Sequence, residues 1–397
     1  MDYLCSSECL IYRISKQDLI EIKMDVCAAN NQFAVDVFRE ISRNAEGQNV
    51  VFSPLSLFTA FAMVFLGARG NTAAQISKAL HFSDVKDVHF GCKNLWEELE
   101  KKGDGHILII ANKLFGQKSF DFFQAFLKQT ENLYSAGLEQ LDFFNDAEKS
   151  RQHINDWISQ QTNGKIQQLL PEQSISPNTA LVVTNTLYFA ANWTKPFRES
   201  RTHDDTFTLL SEDKVTVKMM TMINYFKVKY VANPGLKIVE LPFGPKEDFS
   251  MMIIFPDNNA IFKKIKNMDL YKDLTAWISP EGMKMTNIDL QVPKFKVEKN
   301  FSLKETLKSM GITDSFSQVK ANFSGMTDQG NMFMSDVYHQ TFFDVNEKGT
   351  EAASSTASVM SFRSLPSDEI KLNRPFYVAI KHNQSNCIIL YGVVNKP

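Results

Sequence analysis

No run of apolar residues in this chain reaches the ~18 that a membrane-crossing helix needs. Charge of one sign is lacking too: 43 basic side chains face 45 acidic ones, a net charge of -2. That balance gives no reason to expect nucleic acid or a membrane surface as a partner. Cysteine is sparse and odd in number, with Cys5, Cys9, Cys27, Cys92 and Cys387 scattered along 397 residues. Cys5 and Cys9 have no further His or Cys nearby to complete a zinc site, so free thiols and a reducing compartment are expected. Catalytic signatures are missing as well: no G-x-S-x-G, G-x-G-x-x-G, P-loop or H-E-x-x-H occurs. The seven histidines are dispersed, so no enzyme activity, no metal and no cofactor is expected. A triad gathered from distant residues stays open at this stage.

The first residues do not read as a secretory leader, because Ser6, Ser7 and Glu8 interrupt the stretch between Leu4 and Tyr12. A cytoplasmic location follows as the expectation, with release to the extracellular space left open. Four sequons, at Asn192, Asn300, Asn322 and Asn383, matter only on the secretory path. Length alone favours about two or three domains. Yet no Pro/Gly/Ser linker divides the chain and no internal repeat is visible. Residues 1–23 read as an appendage, since helical spacing becomes clear only after Met24.

From there Phe33, Val37, Phe38 and Ile41 recur at helical spacing, and residues 44–47 close the segment. Ser53-Pro54 reads as a helix start, a hydroxyl cap followed by proline, and the helix to Leu66 is almost wholly apolar, hence central. Capping-box spacing appears at Thr72/Gln75 and at Ser302/Glu305. Ile154, Trp157 and Ile158 mark another helix, closed by Asn163-Gly164. Strand-like runs alternate with these helices at 106–111, 180–189, 237–243, 250–256, 289–297 and 338–345. The end of the chain reads as a hairpin, 376–380 with 387–394. A single mixed α+β domain is the reading.

The most informative stretch is Glu347-Lys348-Gly349-Thr350 followed by small residues through Ala357. Such a segment can lie exposed as a loop or slip into a sheet as a strand. As a strand its alternate side chains share a face: Thr350, Ala352, Ser354 and Thr356 form an uncharged set, and Glu351 falls in the other. Gly349 supplies hinge freedom. A plain Ser/Ala linker is the alternative. Linkers, however, seldom follow directly on a strand or carry a lone arginine, here Arg363 before Ser364, downstream.

These residues resemble the hinge of the serpins, and Leu372-Asn373-Arg374-Pro375-Phe376 resembles their C-terminal signature. Phe52-Ser53-Pro54-Leu55-Ser56, the stretch from Asn185 to Trp193, Lys294 after Pro293 and the stretch from Ala321 to Met326 match further serpin landmarks in serpin order. The resemblance covers residues 24–397 and is most similar to the ovalbumin-like clade B, which starts in the manner of Met24-Asp25. It implies one serpin domain over 24–397, with three β-sheets, about nine helices and a reactive-centre loop at about 347–372.

What the resemblance implies for function is a suicide-substrate inhibitor of a trypsin-like serine protease, acting as a monomer through a covalent complex. Arg363 stands fourteen residues beyond Gly349, the offset that the resemblance gives for the scissile bond, so Arg363-Ser364 is the implied reactive bond. Phe362 before it suits a protease that tolerates an aromatic there; a loop aromatic without selectivity is the other reading. A papain-like cysteine protease also accepts Phe-Arg, and a non-inhibitory binding or chaperone serpin is the rival from another class. The hinge comprises Glu347, Gly349, Thr350, Ala352, Ser354 and Thr356. Burying the Ser354 hydroxyl without a partner costs about 1–3 kcal/mol, which slows insertion. Ser53, Ser56, Asn185 and His339 match the shutter that controls sheet opening, and Lys294 and Glu347 match a pair at the breach where the loop enters.

Overall fold

The computed structural model describes residues 16–43, 45–100, 106–266, 270–350 and 365–397. The first elements are α1 (Lys16–Arg43), β1 (Val50–Phe52), α2 (Pro54–Gly67), α3 (Gly70–Ala79) and α4 (Val88–Leu99). There follow β2 (His106–Gln117), α5 (Gln124–Tyr134), β3 (Leu138–Leu141), α6 (Ala147–Gln161) and β4 (Leu181–Ala191). The middle holds β5 (His203–Thr208), β6 (Lys214–Val231), β7 (Leu236–Phe243), β8 (Phe249–Pro256), α7 (Asn259–Lys266) and α8 (Leu270–Ile278). The chain closes with β9 (Lys284–Pro293), β10 (Phe295–Ser302), α9 (Lys304–Ser309), β11 (Met334–Val345), β12 (Asp368–Lys371), β13 (Phe376–His382) and β14 (Ile388–Val394).

Five strands form one sheet in the order β10-β11-β4-β2-β3. Its centre is a parallel pair, β11 beside β4, flanked by antiparallel partners on both sides. Nine strands form the other connected sheet, β1-β14-β13-β8-β7-β6-β9-β12 with β5 on β6. The two halves of that sheet meet in β6: residues 219–228 pair with β9, and residues 227–231 pair with β7. Divided at β6, the strands make the three expected sheets, and nine α-helices accompany them among the described residues.

α2 is the pivot of the core. Ser53 caps it, its side chain accepting from the Ser56 amide, and Pro54 opens it. Phe58, Phe61, Ala62 and Met63 are fully buried, each large side chain worth about 1.5–3 kcal/mol. The helix lies against β14 on one side and against β2 and β4 on the other. The odd residues of β4, among them Leu181, Val183, Leu187 and Phe189, face this core. The even ones, Val182, Tyr188 and Ala190, face Ile154 and Ile158 of α6 together with Tyr338 and Phe342 of β11. One face of the β4/β11 seam is therefore lined toward α2 and the other is packed with α6.

Several expectations need correcting. The run 289–297 is two strands, because β9 stops at Pro293 and the Lys294 amide turns to the Lys218 carbonyl before β10 begins. β6, eighteen residues long, escaped the sequence reading; its lysines and methionines mask the alternation of Val215, Val217 and Met219. Thr72 and Gln75 do not cap a helix, since α3 starts earlier with Arg69 as its cap. They instead accept amides of Asn322, Thr313 and Asp314 from a neighbouring loop. Ser302 likewise bonds to Asp336 while Leu303 occupies the cap of α9.

The boundary placed at Met24 falls inside α1, which starts at Lys16. Ile22 is buried and Lys23 pairs with Glu98 of α4 at 2.8 Å. α1 and α4 touch at Gly91, where a Cβ would come within 2.5 Å of Val26 and 3.0 Å of Ile22. Ile22→Ala is expected to lower unfolding free energy by about 2–5 kcal/mol, read as a shift of the urea midpoint. An unchanged midpoint would mean that residues before Met24 do not contribute to the fold.

Candidate functional site

Two clusters sit on the β4/β11 seam, one at its middle and one at its end. In the middle, register pairs Asn112 of β2 with Asn185 of β4, Asn185 with His339 of β11, and His339 with Phe301 of β10. A polar row thus crosses three strands of the sheet, with Phe301 of the fourth beside its end. Alternation turns Asn185 and His339 to the core face, where the first turn of α2 meets them.

The Ser53 amide donates to His339 Nε2 at 3.0 Å. An amide can only donate, so Nε2 carries no proton, and Nδ1–H donates to Asn185 Oδ1. Asn185 Oδ1 also accepts from Ser56 Oγ at 2.7 Å. Asn185 Nδ2 donates to Asn112 Oδ1, and Asn112 Nδ2 donates to the Ser56 carbonyl at 3.2 Å, closing a ring. Ser53 Oγ reaches the Ile389 carbonyl at 2.7 Å, tying the row to β14. Thr341 Oγ1 lies 3.0 Å from Nε2, and Phe301 stacks on the imidazole. His339 is wholly buried, and burial pushes its pKa down to about 3.

At the end of the seam β11 gives way to residues 346–350. Phe197 and Trp193 amides donate to the carbonyls of Glu347 and Lys348, at 2.8 and 2.9 Å. The Trp193 indole donates to the Asn346 carbonyl at 2.9 Å. Gly349 bridges Asn192 in antiparallel fashion. It has φ +152°, and a Cβ there would stand 1.9 Å from the Ala191 carbonyl oxygen, so no other residue fits. Thr350 is wholly buried; its amide donates to the Ala191 carbonyl at 2.7 Å and its Oγ1 accepts from the Ala191 amide at 2.8 Å.

Glu347 is buried beside this turn. Its carboxylate meets Lys294 Nζ at 2.8 Å and accepts from Thr202 Oγ1 at 2.8 Å. Burial alone would raise its pKa, but the bonds from Lys294 and Thr202 outweigh that and hold it below the ordinary range. From residue 365 onward, Ser367 N–H donates to the Asn287 carbonyl and β12 runs parallel to β9. Ala352, Ser354, Thr356, Phe362, Arg363 and Ser364 lie outside the described residues.

Comparison with known proteins agrees with this arrangement. Residues 28–397 match the family model described as Serpin (serine protease inhibitor). Leukocyte elastase inhibitor of Bos taurus is 40% identical over 375 residues, 93% of this chain and 99% of that protein. Serpin B8 of Homo sapiens is 37% identical over 374 residues, 94% of this chain and all of that protein. The crystal structure of uncleaved ovalbumin superposes with a TM-score of 0.86 at 30% identity, covering 94% of this chain and all of that one. This chain is a serpin of the ovalbumin-like branch.

The structure brings together Ser53, Ser56, Asn185 and His339 on one side, and Lys294, Glu347, Gly349 and Thr350 on the other. Asn112 and Thr341 belong to the same clusters and were missed by sequence reasoning, while Trp193 was named only as the end of a family landmark. A buried asparagine one residue beyond the apolar run 106–111 was the available signal for Asn112. Thr341 had one too, standing two residues from His339 on the same strand face.

The neutral state of His339 has a pH consequence. In the unfolded chain it takes a proton near pH 6.5; in the folded serpin it does not until about 3. Between these values the unfolded state holds more protons, so stability is complete above about pH 6.5 and drains as pH falls. Proton uptake at Nε2 would also set N–H against the Ser53 N–H. The unfolding midpoint is expected to fall between about pH 7.5 and about pH 5, and His339→Gln, although less stable, should show a flatter slope. Equal slopes in the two proteins would remove His339 from this account.

Proposed function

We propose that this serpin is a suicide-substrate inhibitor of trypsin-like serine proteases, cleaved at the Arg363-Ser364 bond and trapped by insertion of residues 350 onward between β4 and β11. The observation that carries the reading is Thr350, buried and hydrogen-bonded to Ala191 at the end of a parallel strand pair. A segment turning back from β11 would run antiparallel to both strands of that pair. Insertion would exchange one parallel interface for two antiparallel ones, which pair slightly better per residue.

The chemistry follows from the bait. Arg363 offers a guanidinium to an acidic specificity pocket through paired hydrogen bonds. The protease serine attacks the Arg363 carbonyl; an ester forms, the amide bond breaks, and Ser364 leaves with a new amine. Insertion then drags the tethered protease before water can cleave the ester. The serpin itself performs no catalysis and is consumed. Its relatives in Bos taurus and Homo sapiens carry names as inhibitors of leukocyte elastase; Arg363 is what directs this chain to a trypsin-like target instead. Cytoplasmic residence and a monomeric state belong to the same proposal.

Incubation with trypsin is expected to give an adduct that survives SDS, and Arg363→Ala should abolish it. Thr350→Arg should turn the inhibitor into a substrate, because insertion would bury an unpaired charge. Clean cleavage after Arg363 with trypsin still active would overturn inhibition and favour a binding or chaperone role. An adduct with papain but none with trypsin would move the target to cysteine proteases, which also accept Phe362-Arg363. Cleavage within the loop should raise the melting temperature; an unchanged one would mean no free energy is stored for trapping.

A further inference from the structure

A cavity of about 150 Å³ opens beside Trp193, between β6, β7 and β9. Trp193, Tyr225, Leu241, Pro242 and Met285 give it apolar walls, and Glu240 stands among them. Trp193 and Glu240 are buried, whereas Tyr225 and Met285 are about half exposed and mark the mouth. An apolar cavity of this size is on the scale of a single benzene ring.

Glu240 is only 4% exposed. Its Oε1 accepts from Ser250 Oγ at 2.8 Å, but its Oε2 has no hydrogen-bond donor among the described residues. A buried acceptor without a donor is costly. Lys227 Nζ stands 3.4 Å from Oε2 without a hydrogen bond to it, and its side chain is half exposed. The carboxylate's charge is therefore already balanced. What the cavity lacks is a donor, not a charge. The lining carries two lysines, Lys195 and Lys227, and two glutamates, Glu240 and Glu247, so its net charge is zero and neither a cation nor an anion is favoured.

We propose that this cavity binds a small neutral aromatic molecule carrying a hydroxyl group, its ring against Trp193 and Tyr225 and its O–H donated to Glu240 while Lys227 keeps its ion pair with the same carboxylate. The site reaches the hinge directly. Trp193 donates its indole N–H to the Asn346 carbonyl and its amide to the Lys348 carbonyl. An occupant pressed on the indole holds both bonds in place. The inference stands on the cavity alone and does not depend on whether Arg363 traps a protease.

The full-length protein would be titrated by calorimetry with benzyl alcohol, benzyl methyl ether, benzylamine and benzoate. Benzyl alcohol is expected to bind at least tenfold tighter than its methyl ether and tighter than either charged analogue. In Glu240→Gln the new amide is a donor that alcohol and ether can both accept, so the preference should vanish. Met285→Trp, at an exposed position, should close the mouth and abolish binding without disturbing the core. Amide exchange at Trp193 should slow with benzyl alcohol bound. Equal binding of alcohol and ether, tightest binding of a charged analogue, or unchanged binding in Met285→Trp would each overturn the proposal. Should Glu240→Gln fail to fold, the ligand series and Met285→Trp still decide it.

Discussion

The parallel contact between β4 and β11 governs the rest of this molecule. It lies at the centre of a sheet whose other neighbours are mainly antiparallel, and its two strands are far apart in sequence. Apolar packing holds both faces, but at the middle of the seam the side chains are polar. The imidazole of His339 and the amide of Asn185 meet across the two strands, and Ser53 and Ser56 bind them from the start of α2. Separating the strands would leave several buried donors and acceptors without partners, each costing about 1–3 kcal/mol. The row therefore joins the two strands with a defined geometry, in a way that a patch of leucines would not.

The end of the seam is built on another principle. There the backbone after β11 is already bonded to the last residues of β4, where the proposed strand addition would begin. Gly349 allows the approach because nothing larger fits against the Ala191 carbonyl. Thr350 follows as a small buried side chain that satisfies the Ala191 amide. Glu347 is anchored outside by Lys294 and Thr202. A closed middle and a bonded end would suit the two arrangements of the sheet that the proposed inhibitory cycle requires.

Much of this was legible beforehand. Ser53-Pro54 announced α2 and its capping, the apolar length of α2 announced its central place, and Asn163-Gly164 announced the end of α6. Lys294 and Glu347 were paired across about fifty residues only because a family resemblance aligned them; nothing local links the two. Asn112 and Thr341 show the limit more sharply. A buried asparagine or threonine in a strand reads as a neutral polar residue until the register across the sheet is known, and register comes from long-range pairing. The two capping-box spacings failed for a related reason: a hydroxyl or amide at the right interval serves whichever backbone N–H lies nearest, and tertiary neighbours were nearer.

The location of the polar row bears on why it is tolerated at all. An apolar seam would seal the sheet through non-directional contacts, and a partly opened state would lose little by slipping or repacking. Hydrogen bonds discriminate more strongly, because a strand displaced by one residue turns His339 to the opposite face and loses every partner at once. If the proposed insertion parts these strands, the start of α2 must release His339 and Asn185 together, since Ser53 caps the helix and Ser56 lies in its first turn. Movement of β11 is thereby tied to α2 and, through Ser53 and Ile389, to β14. Any separation of β4 from β11 in the proposed cycle would have to break bonds that reach α2 and the C-terminal hairpin, and would therefore be one cooperative step.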